Sequence, residues 1–163
     1  MKAVRVIVTG GTLDKVHDPL TEGLAFSQSQ DTQLPEILHQ ARCHFPQIDV
    51  LMMKDSLDFD AEDRQLLVDR IEAVAEQALV ITHGTSTMGE TARFLEQRVR
   101  NKTVVLTGAM RPHSFGASDA SFNLGGAISA AQLLAPGIWG VMNGRIFGAQ
   151  HLEKNHTLGR FDM

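Results

Sequence analysis

Five short runs of apolar, mostly β-branched residues are the feature that most restricts how this chain can fold. Each run has the length of a strand and is apolar throughout, which is typical of parallel strands covered on both faces. Parallel strands need crossover connections, and such crossovers are right-handed. The sequence therefore predicts an α/β fold: a doubly wound three-layer sandwich with a mainly parallel sheet. The predicted strands are 4–8, 48–53, 79–82, 103–107 and 138–142.

Helical periodicity appears in three of the connecting segments. Residues 61–77 carry apolar side chains at three- and four-residue spacing, including Val74 and Ala78, behind a cap at Asp60. Thr87 and Glu90 fit a capping box that leads into a helix ending at Val99. A third helix is expected over about 118–134.

Two segments are expected to be irregular. Residues 14–31 are polar and are interrupted by Pro19 and Gly23, so they predict a long loop of the kind that often acts as a lid. The polar tail 151–163 is expected either to pack across the domain or to reach a neighbouring molecule.

Length and composition indicate one globular domain over residues 1–163. The chain is 43% hydrophobic and 21% charged, which is typical of a folded core and not of a disordered segment. A net charge of −4 provides no basic surface for nucleic acid. No apolar run reaches the ~20 residues of a membrane span. The first apolar run meets the glycine pair at 10–11 too early to form the core of a signal peptide. We therefore expect a cytoplasmic protein with a small-molecule substrate, no nucleic-acid partner and no membrane.

Hydroxyl- and glycine-rich turns follow the predicted strands. In an open α/β sheet these turns lie at one edge, where ligands bind. The hydroxyls of Thr12, Ser56, Thr85 and Ser86 are therefore expected to converge on one small polar ligand. The alternative for any one of them is a helix cap, as expected for Thr87.

Several common motifs are excluded by single residues. Residues 84–91 have the glycine spacing of a phosphate-binding loop, but Glu90 stands where a lysine is needed. The dinucleotide-binding pattern and the serine-hydrolase elbow are both missing. The histidine pairs His39/His44 and His151/His156 do not have metal-ligand spacing. None of these patterns therefore indicates a phosphate-binding, dinucleotide-binding or metal site.

The glycine pair before Thr12 allows a tight turn that exposes the hydroxyl as a nucleophile. Threonine is a weak nucleophile without a base or a cation beside it. Lys15 is a candidate catalytic partner if the loop folds back, whereas a solvent-exposed Lys15 is the other interpretation.

At this point the chain resembles the L-asparaginase family, specifically its short members that consist of the amino-terminal domain alone. The resemblance runs in order from residue 6 to about 148. The matching segments are TGGTLDK at 9–15, KDSLD at 54–58, ITHGTSTMGETARFL at 81–95, VVLTGAMRP at 104–112 and FNLGGA at 122–127.

This resemblance implies an activity and roles for three residues. Thr12 would be the nucleophile, Thr85 would orient water or relay a proton, and Ser56 would bind the substrate α-carboxylate. The reaction would hydrolyse L-asparagine to L-aspartate and ammonia through an acyl-enzyme, without metal or cofactor. Domains of this family pack against partners, so a homo-oligomer is expected, and the apolar stretch 133–142 is one surface for it.

Differences from the family pattern modify this expectation. Ser86 stands where the family has the aspartate that binds the substrate amine, and a charge-assisted contact of this kind contributes ~1.5–3 kcal/mol. Counting without gaps, the lysine that assists the second threonine falls at Leu134, so that pair is expected to be missing. The chain has no tyrosine to activate Thr12. The remaining candidates for that task are Asp14, Lys15, His17 and Lys154.

A second acid for the substrate amine could come from Asp58 or from the tail at 153–155. Asp58 lies two residues after Ser56, a spacing that points both side chains the same way in an extended segment. Alternatively, Asp58 caps the helix that starts near residue 60.

The sequence thus predicts an L-asparaginase-type amidohydrolase with weak activity or an altered substrate. Two alternatives remain. One is a small-amide or amino-acid binding module without turnover. The other is an amidase for an amide that lacks a free α-amine.

Overall fold

The structure is a computed structural model that describes residues 2–162. The strands are β1 (Val4–Gly10), β2 (Val16–Asp18), β3 (Gly23–Ala25), β4 (Gln47–Lys54), β5 (Ala78–Thr82), β6 (Thr103–Thr107), β7 (Gly137–Met142), β8 (Arg145–Gly148), β9 (Lys154–Asn155) and β10 (Arg160–Phe161). The α-helices are α1 (Leu34–Gln40), α2 (Ala61–Ala73), α3 (Met88–Glu96) and α4 (Ala120–Leu133).

Six of the strands form one sheet in the order β4-β1-β5-β6-β7-β8. The first five are parallel, and β8 pairs antiparallel with β7 at the edge. All five strands predicted from apolar runs are present, and the predicted mainly parallel α/β sandwich is confirmed. The order places the carboxyl ends of β4, β1 and β5 side by side.

Helices cover both faces of the sheet, as a doubly wound fold requires. Alternation along β1 explains the two layers, because Val6 and Val8 pack on one face and Ile7 on the other. The first face is covered by α1 and α4, and the second by α2, α3 and the chain after β8. No helix within residues 2–162 combines the length and apolar character needed to cross a membrane.

Helix α2 begins as predicted and ends earlier than predicted. Asp60 caps it by accepting hydrogen bonds from the next-turn N–H groups of Glu62 and Asp63, at 2.8 and 2.9 Å. The helix stops at Ala73 instead of residue 77, and Ala78 already belongs to β5. Long-range packing sets this end, because the buried Lys102 ammonium donates to main-chain carbonyls at the helix terminus, Ile71 O at 2.6 Å and Val74 O at 2.5 Å.

Thr87 precedes α3 but does not form the predicted capping box. Its side-chain Oγ1 instead donates to the carbonyl oxygen of Ser56 at 2.7 Å. The hydroxyl therefore joins the turns after β4 and β5, and α3 starts at Met88.

Four features were not predicted from the sequence. Helix α1 and the edge strand β8 are short, and residues 14–31 contain the β2–β3 hairpin instead of an irregular loop. The tail forms the unpredicted β9–β10 hairpin, and of its two expected arrangements it adopts the one that packs across the domain, where Leu152 and Phe161 are fully buried. The apolar stretch 133–142 is mostly β7, and within it only Leu133 is a strongly exposed large apolar side chain.

Candidate active site

The glycine pair at the end of β1 brings three strand-end turns into direct contact. Gly10 and Gly11 have positive φ angles of 97° and 88°, which favour glycine. A Cβ at Gly10 would lie 2.5 Å from the main-chain nitrogen of Lys54, and one at Gly11 would lie 2.5 Å from that of Gly84. The turn carrying Thr12 therefore packs against the turns after β4 and β5 without space for side chains.

Gly84 continues this close packing toward Ser56. A Cβ at Gly84 would lie 2.6 Å from Ser56 Cβ and would overlap Ser56 Oγ. Ser56 is 1% exposed, and its Oγ accepts a weak hydrogen bond from the Thr87 N–H at 3.4 Å. The structure thus brings together the turns of three predicted site residues, Thr12, Ser56 and Thr85.

Thr85 has a lysine partner, contrary to the sequence-based expectation. Lys154 Nζ donates to Thr85 Oγ1 at 3.2 Å, and Thr85 is only 6% exposed. Leu134, where ungapped counting placed the lysine, lies at the opposite edge of the sheet, because its carbonyl accepts from Thr103 at the start of β6. The lysine beside Thr85 instead comes from the tail that follows β8.

Lys15 is held by a carboxylate. Its ammonium forms an ion pair with Asp55 and lies 5.8 Å from the centre of the Phe26 ring. Burial raises the pKa of the Asp55 carboxyl, but the hydrogen bonds from Lys15 and from the Leu57 N–H outweigh it, so the pKa is lowered overall. The loop does fold back as considered from the sequence, but it brings Lys15 to Asp55.

Asp58 does not share an orientation with Ser56. The two residues lie in a 3₁₀ turn, Ser56–Asp58, and not in an extended segment, so one is buried and the other exposed. The pKa of Lys54 is raised chiefly by its hydrogen bond to Asp63, and the negative charge of Asp58 raises it slightly further. The predicted common direction of Ser56 and Asp58 is therefore wrong, and the cap of α2 is Asp60.

Thr12 and Ser86 present half-buried hydroxyls at this edge. Across residues 2–162, neither hydroxyl is used in a hydrogen bond to another protein group. Polar side chains left available in this way can interact with a bound molecule.

The buried side chain of His83 contacts the turn after β5, and this residue was not singled out from the sequence. Its ring is buried, with Nδ1 2.8 Å from Gly84 O and Nε2 2.9 Å from Thr91 Oγ1, and the Phe59 ring packs edge-on at 4.7 Å. Arg64 Nε donates to the same threonine oxygen at 3.1 Å. Burial lowers the pKa of His83 to about 4. A neutral ring that donates from Nδ1 and accepts at Nε2 satisfies these contacts.

Asn123 connects the two remaining strand-end turns. Its side-chain Nδ2 donates to Gly108 O at 3.0 Å, after β6, and its Oδ1 accepts from the Asn143 N–H at 3.0 Å, after β7. One buried side chain therefore joins the turns after β6 and β7. Within residues 2–162, no cluster of three or more His, Cys, Asp or Glu side chains is arranged to hold a metal ion.

Comparisons with known proteins identify the family. A family model described as Asparaginase, N-terminal matches residues 3–162. The chain is 32% identical to a probable periplasmic L-asparaginase of Haemophilus influenzae, over 94% of this chain and 46% of the relative. It is 31% identical to L-asparaginase 2 of Bacillus subtilis, over 94% of this chain and 44% of the relative.

The fold agrees with this assignment. The structure of L-asparaginase I from Vibrio cholerae matches with a TM-score of 0.78 and 28% identity, covering 95% of this chain and 48% of that one. The chain spans about half the length of the relatives it matches, or slightly less. It therefore belongs to the asparaginase family, and it corresponds to the amino-terminal part of its longer relatives.

Proposed function

We propose that this chain is an L-asparaginase-type amidohydrolase that uses Thr12 as its nucleophile. The observation that carries the proposal is the contact between Lys154 Nζ and Thr85 Oγ1, made in the turn against which Gly11 packs. This contact puts an amine and a hydroxyl beside the turn that carries Thr12, whose own hydroxyl has no hydrogen-bond partner within residues 2–162. This combination suits a reaction that needs a nucleophile and a route for its proton.

In the proposed reaction the Thr12 oxygen forms a bond to the amide carbon of L-asparagine while its proton leaves. The carbon–nitrogen bond then breaks, and the departing nitrogen takes up a proton to leave as ammonia. Water attacks the resulting ester, which releases L-aspartate and returns a proton to Thr12. Thr85 and Lys154 provide the path for these protons, with Ser56 beside the substrate carboxylate.

We assign Lys15 a supporting role in this scheme. Its ion pair with Asp55 occupies the ammonium and links the nucleophile turn to the turn after β4. Asp58, which is exposed and acts on Lys54, has no part in the proposed amine site.

Ammonia release from L-asparagine tests the proposal. Thr12→Val and Lys154→Met should each lower the rate by at least 100-fold, a typical cost for loss of a nucleophile or a proton carrier. The matched controls are Thr157→Val, an exposed threonine in the tail, and Lys2→Met, an exposed lysine at the other edge of the sheet. An unchanged rate in Thr12→Val would refute the threonine mechanism.

The second candidate is an amidase for a substrate without an α-amine, and the charges at the site favour it. The residue after Thr85 is the neutral Ser86, the carboxylate of Asp55 is already paired with Lys15, and Lys154 adds positive charge. An ammonium group would lack a carboxylate partner here. Succinamic acid, which is asparagine without its amine, should then be hydrolysed at least as fast as L-asparagine.

Ser86→Asp distinguishes the two candidates. A new carboxylate beside the amine should lower the KM for L-asparagine by about 10- to 100-fold, the equivalent of one charge-assisted hydrogen bond, and should not lower the KM for succinamic acid. A module that only binds would release no ammonia from either compound, yet either compound would raise its melting temperature, also in Thr12→Val.

Assembly and location remain predictions. We propose a homo-oligomer, because the site lies open at the sheet edge; light scattering that gives the mass of a single chain would refute it. A cytoplasmic location is likewise proposed, and cell fractionation tests it.

A further inference from the structure

Asp14 is a fully buried carboxylate in the same 3₁₀ turn as Thr12. Its main-chain N–H donates to Gly11 O at 3.1 Å, and the N–H of Lys15 donates to Thr12 O at 3.2 Å. These two bonds define the turn that presents the Thr12 hydroxyl. Any displacement of Asp14 therefore also displaces Thr12.

The Asp14 side chain ties this turn to the start of α1. Its Oδ1 accepts hydrogen bonds from Thr32 Oγ1 and from the Gln33 N–H, both at 2.8 Å. The segment between these residues contains the β2–β3 hairpin. The two bonds thus close the base of the hairpin and fasten the nucleophile turn to a helix of the core.

The second carboxylate oxygen makes the position unusual. Asp14 Oδ2 is buried and has no hydrogen-bond partner among the described residues. Burial raises the pKa of the Asp14 carboxyl, and the hydrogen bonds from Gln33 and Thr32 and the nearby His113 offset this only in part. A buried carboxyl with one unpaired oxygen costs stability. The hydrogen bonds that its other oxygen accepts are therefore made at a cost in stability.

The loop after β6 holds the same turn from another side. Ser114 Oγ donates to the carbonyl oxygen of Lys15 at 2.9 Å, and the neighbouring His113 lies close enough to Asp14 to lower the pKa of its carboxyl slightly. Together with the Lys15–Asp55 ion pair, these contacts hold the turn from three neighbouring segments. Within the turn itself, Leu13 packs in the apolar core, and Asp14 provides the buried polar side chain that holds the turn by hydrogen bonds.

We propose that Asp14 is a positioning residue, which fixes the Thr12 hydroxyl through its hydrogen bonds to Thr32 and Gln33 and does not touch the substrate. This proposal rests on the proposed nucleophilic role of Thr12. A residue of this kind acts on the rate of the chemical step, because a displacement of about 1 Å can cost about 100-fold in rate. It acts little on substrate affinity.

Steady-state kinetics of ammonia release test the proposal in two variants. Asp14→Ala removes both hydrogen bonds and should lower kcat by about 10- to 100-fold, with KM changed less than threefold. Asp14→Asn keeps a carbonyl oxygen as acceptor and should retain kcat within about fivefold of the parent chain. If kcat is retained in Asp14→Asn but lost in Asp14→Ala, the hydrogen bonds that Asp14 accepts, and not its charge, are the cause.

The matched control is Asp60→Ala. Asp60 likewise accepts two hydrogen bonds, both from main-chain N–H groups, but it is exposed and caps α2. Its variant should keep kcat within twofold of the parent chain. A kcat in Asp14→Ala within twofold of that in Asp60→Ala, or a change in KM alone, would overturn the proposal.

Hydrogen–deuterium exchange provides a readout that does not depend on activity. Asp14→Ala should speed exchange in a peptide covering residues 9–16 and in one covering 31–36, whereas Asp60→Ala should leave both unchanged. If Asp14→Ala does not fold, Thr32→Val removes one of the two hydrogen bonds and should show the same two effects at smaller size. Unchanged exchange in these peptides would overturn the proposal. Absence of ammonia release from the parent chain would instead refute the proposed function.

Discussion

Leu152 offers the most direct test of how the tail reaches the site. It lies two residues before Lys154 and is fully buried against the second face of the sheet. A Cβ at Gly140, in β7, would lie 2.5 Å from Leu152 Cδ2, so the leucine fills the space left by that glycine. A Cβ at Gly89 in α3 would overlap the Leu152 carbonyl oxygen. This residue therefore anchors the segment that carries Lys154.

Leu152→Ala should lower the free energy of unfolding by about 3 kcal/mol, the middle of the range for a buried leucine. Gly140→Ala alone should also destabilise, by about 1–3 kcal/mol, because its methyl group would collide with Leu152. In the double variant the methyl group enters the space left by the leucine. It should be about 1 kcal/mol more stable than Leu152→Ala, because one buried methyl contributes about that much.

Urea unfolding measures these free energies, and ammonia release measures the effect on the site. Leu152→Ala should lower the rate of ammonia release, as Lys154→Met does, because the Lys154 amine loses its position beside Thr85. Leu158→Ala is the matched control: this leucine of the same tail is 55% exposed, and its loss should cost less than about 0.5 kcal/mol. A cost below 1 kcal/mol for Leu152→Ala, or a double variant no more stable than Leu152→Ala, would refute the reasoning.

Three further predictions concern buried polar groups. The buried, neutral His83 has a pKa of about 4, below its unfolded value, so the unfolded chain binds the proton first. Its contribution to stability is complete above pH 6.5 and falls by about 3 kcal/mol as the pH drops to 4; His83→Gln should remove this slope in urea unfolding. Lys102→Met, which leaves two carbonyls at the end of α2 unpaired, should cost about 1.5–3 kcal/mol by the same assay, whereas Lys2→Met should cost less than about 0.5 kcal/mol. Asn123→Leu removes the hydrogen bonds that join the turns after β6 and β7. It should lower the free energy of unfolding by about 3 kcal/mol and also lower the rate of ammonia release.

The sheet and the edge that carries the site could both be predicted from the sequence. Strands buried on two faces must be apolar throughout, so their runs stand out from the connecting segments. The Asp60 cap is a local signal and was also recognised. The convergence of the strand-end turns follows from parallel topology alone, because all carboxyl ends lie at one edge.

Elements with weak local signals were missed. Helix α1, the β8 edge strand and the two small hairpins are short, and each is stabilised mainly by what it packs against. The end of α2 depends on Lys102, which is distant in sequence. The directions of Ser56 and Asp58 depended on whether their segment is extended or a 3₁₀ turn, and the sequence pattern did not distinguish the two.

By itself, the sequence determined the α/β class, the strand-end edge as the candidate site, and the resemblance to the asparaginase family. Those properties depend on local apolarity and on motifs of a few adjacent residues. Only the tertiary structure decided that Lys154 contacts Thr85, that Lys15 pairs with Asp55, and that Asp14 links the turn carrying Thr12 to the start of α1. These pairs join residues far apart in the chain. Their partners are selected by the packing of buried apolar groups such as Leu152, which no local pattern specifies.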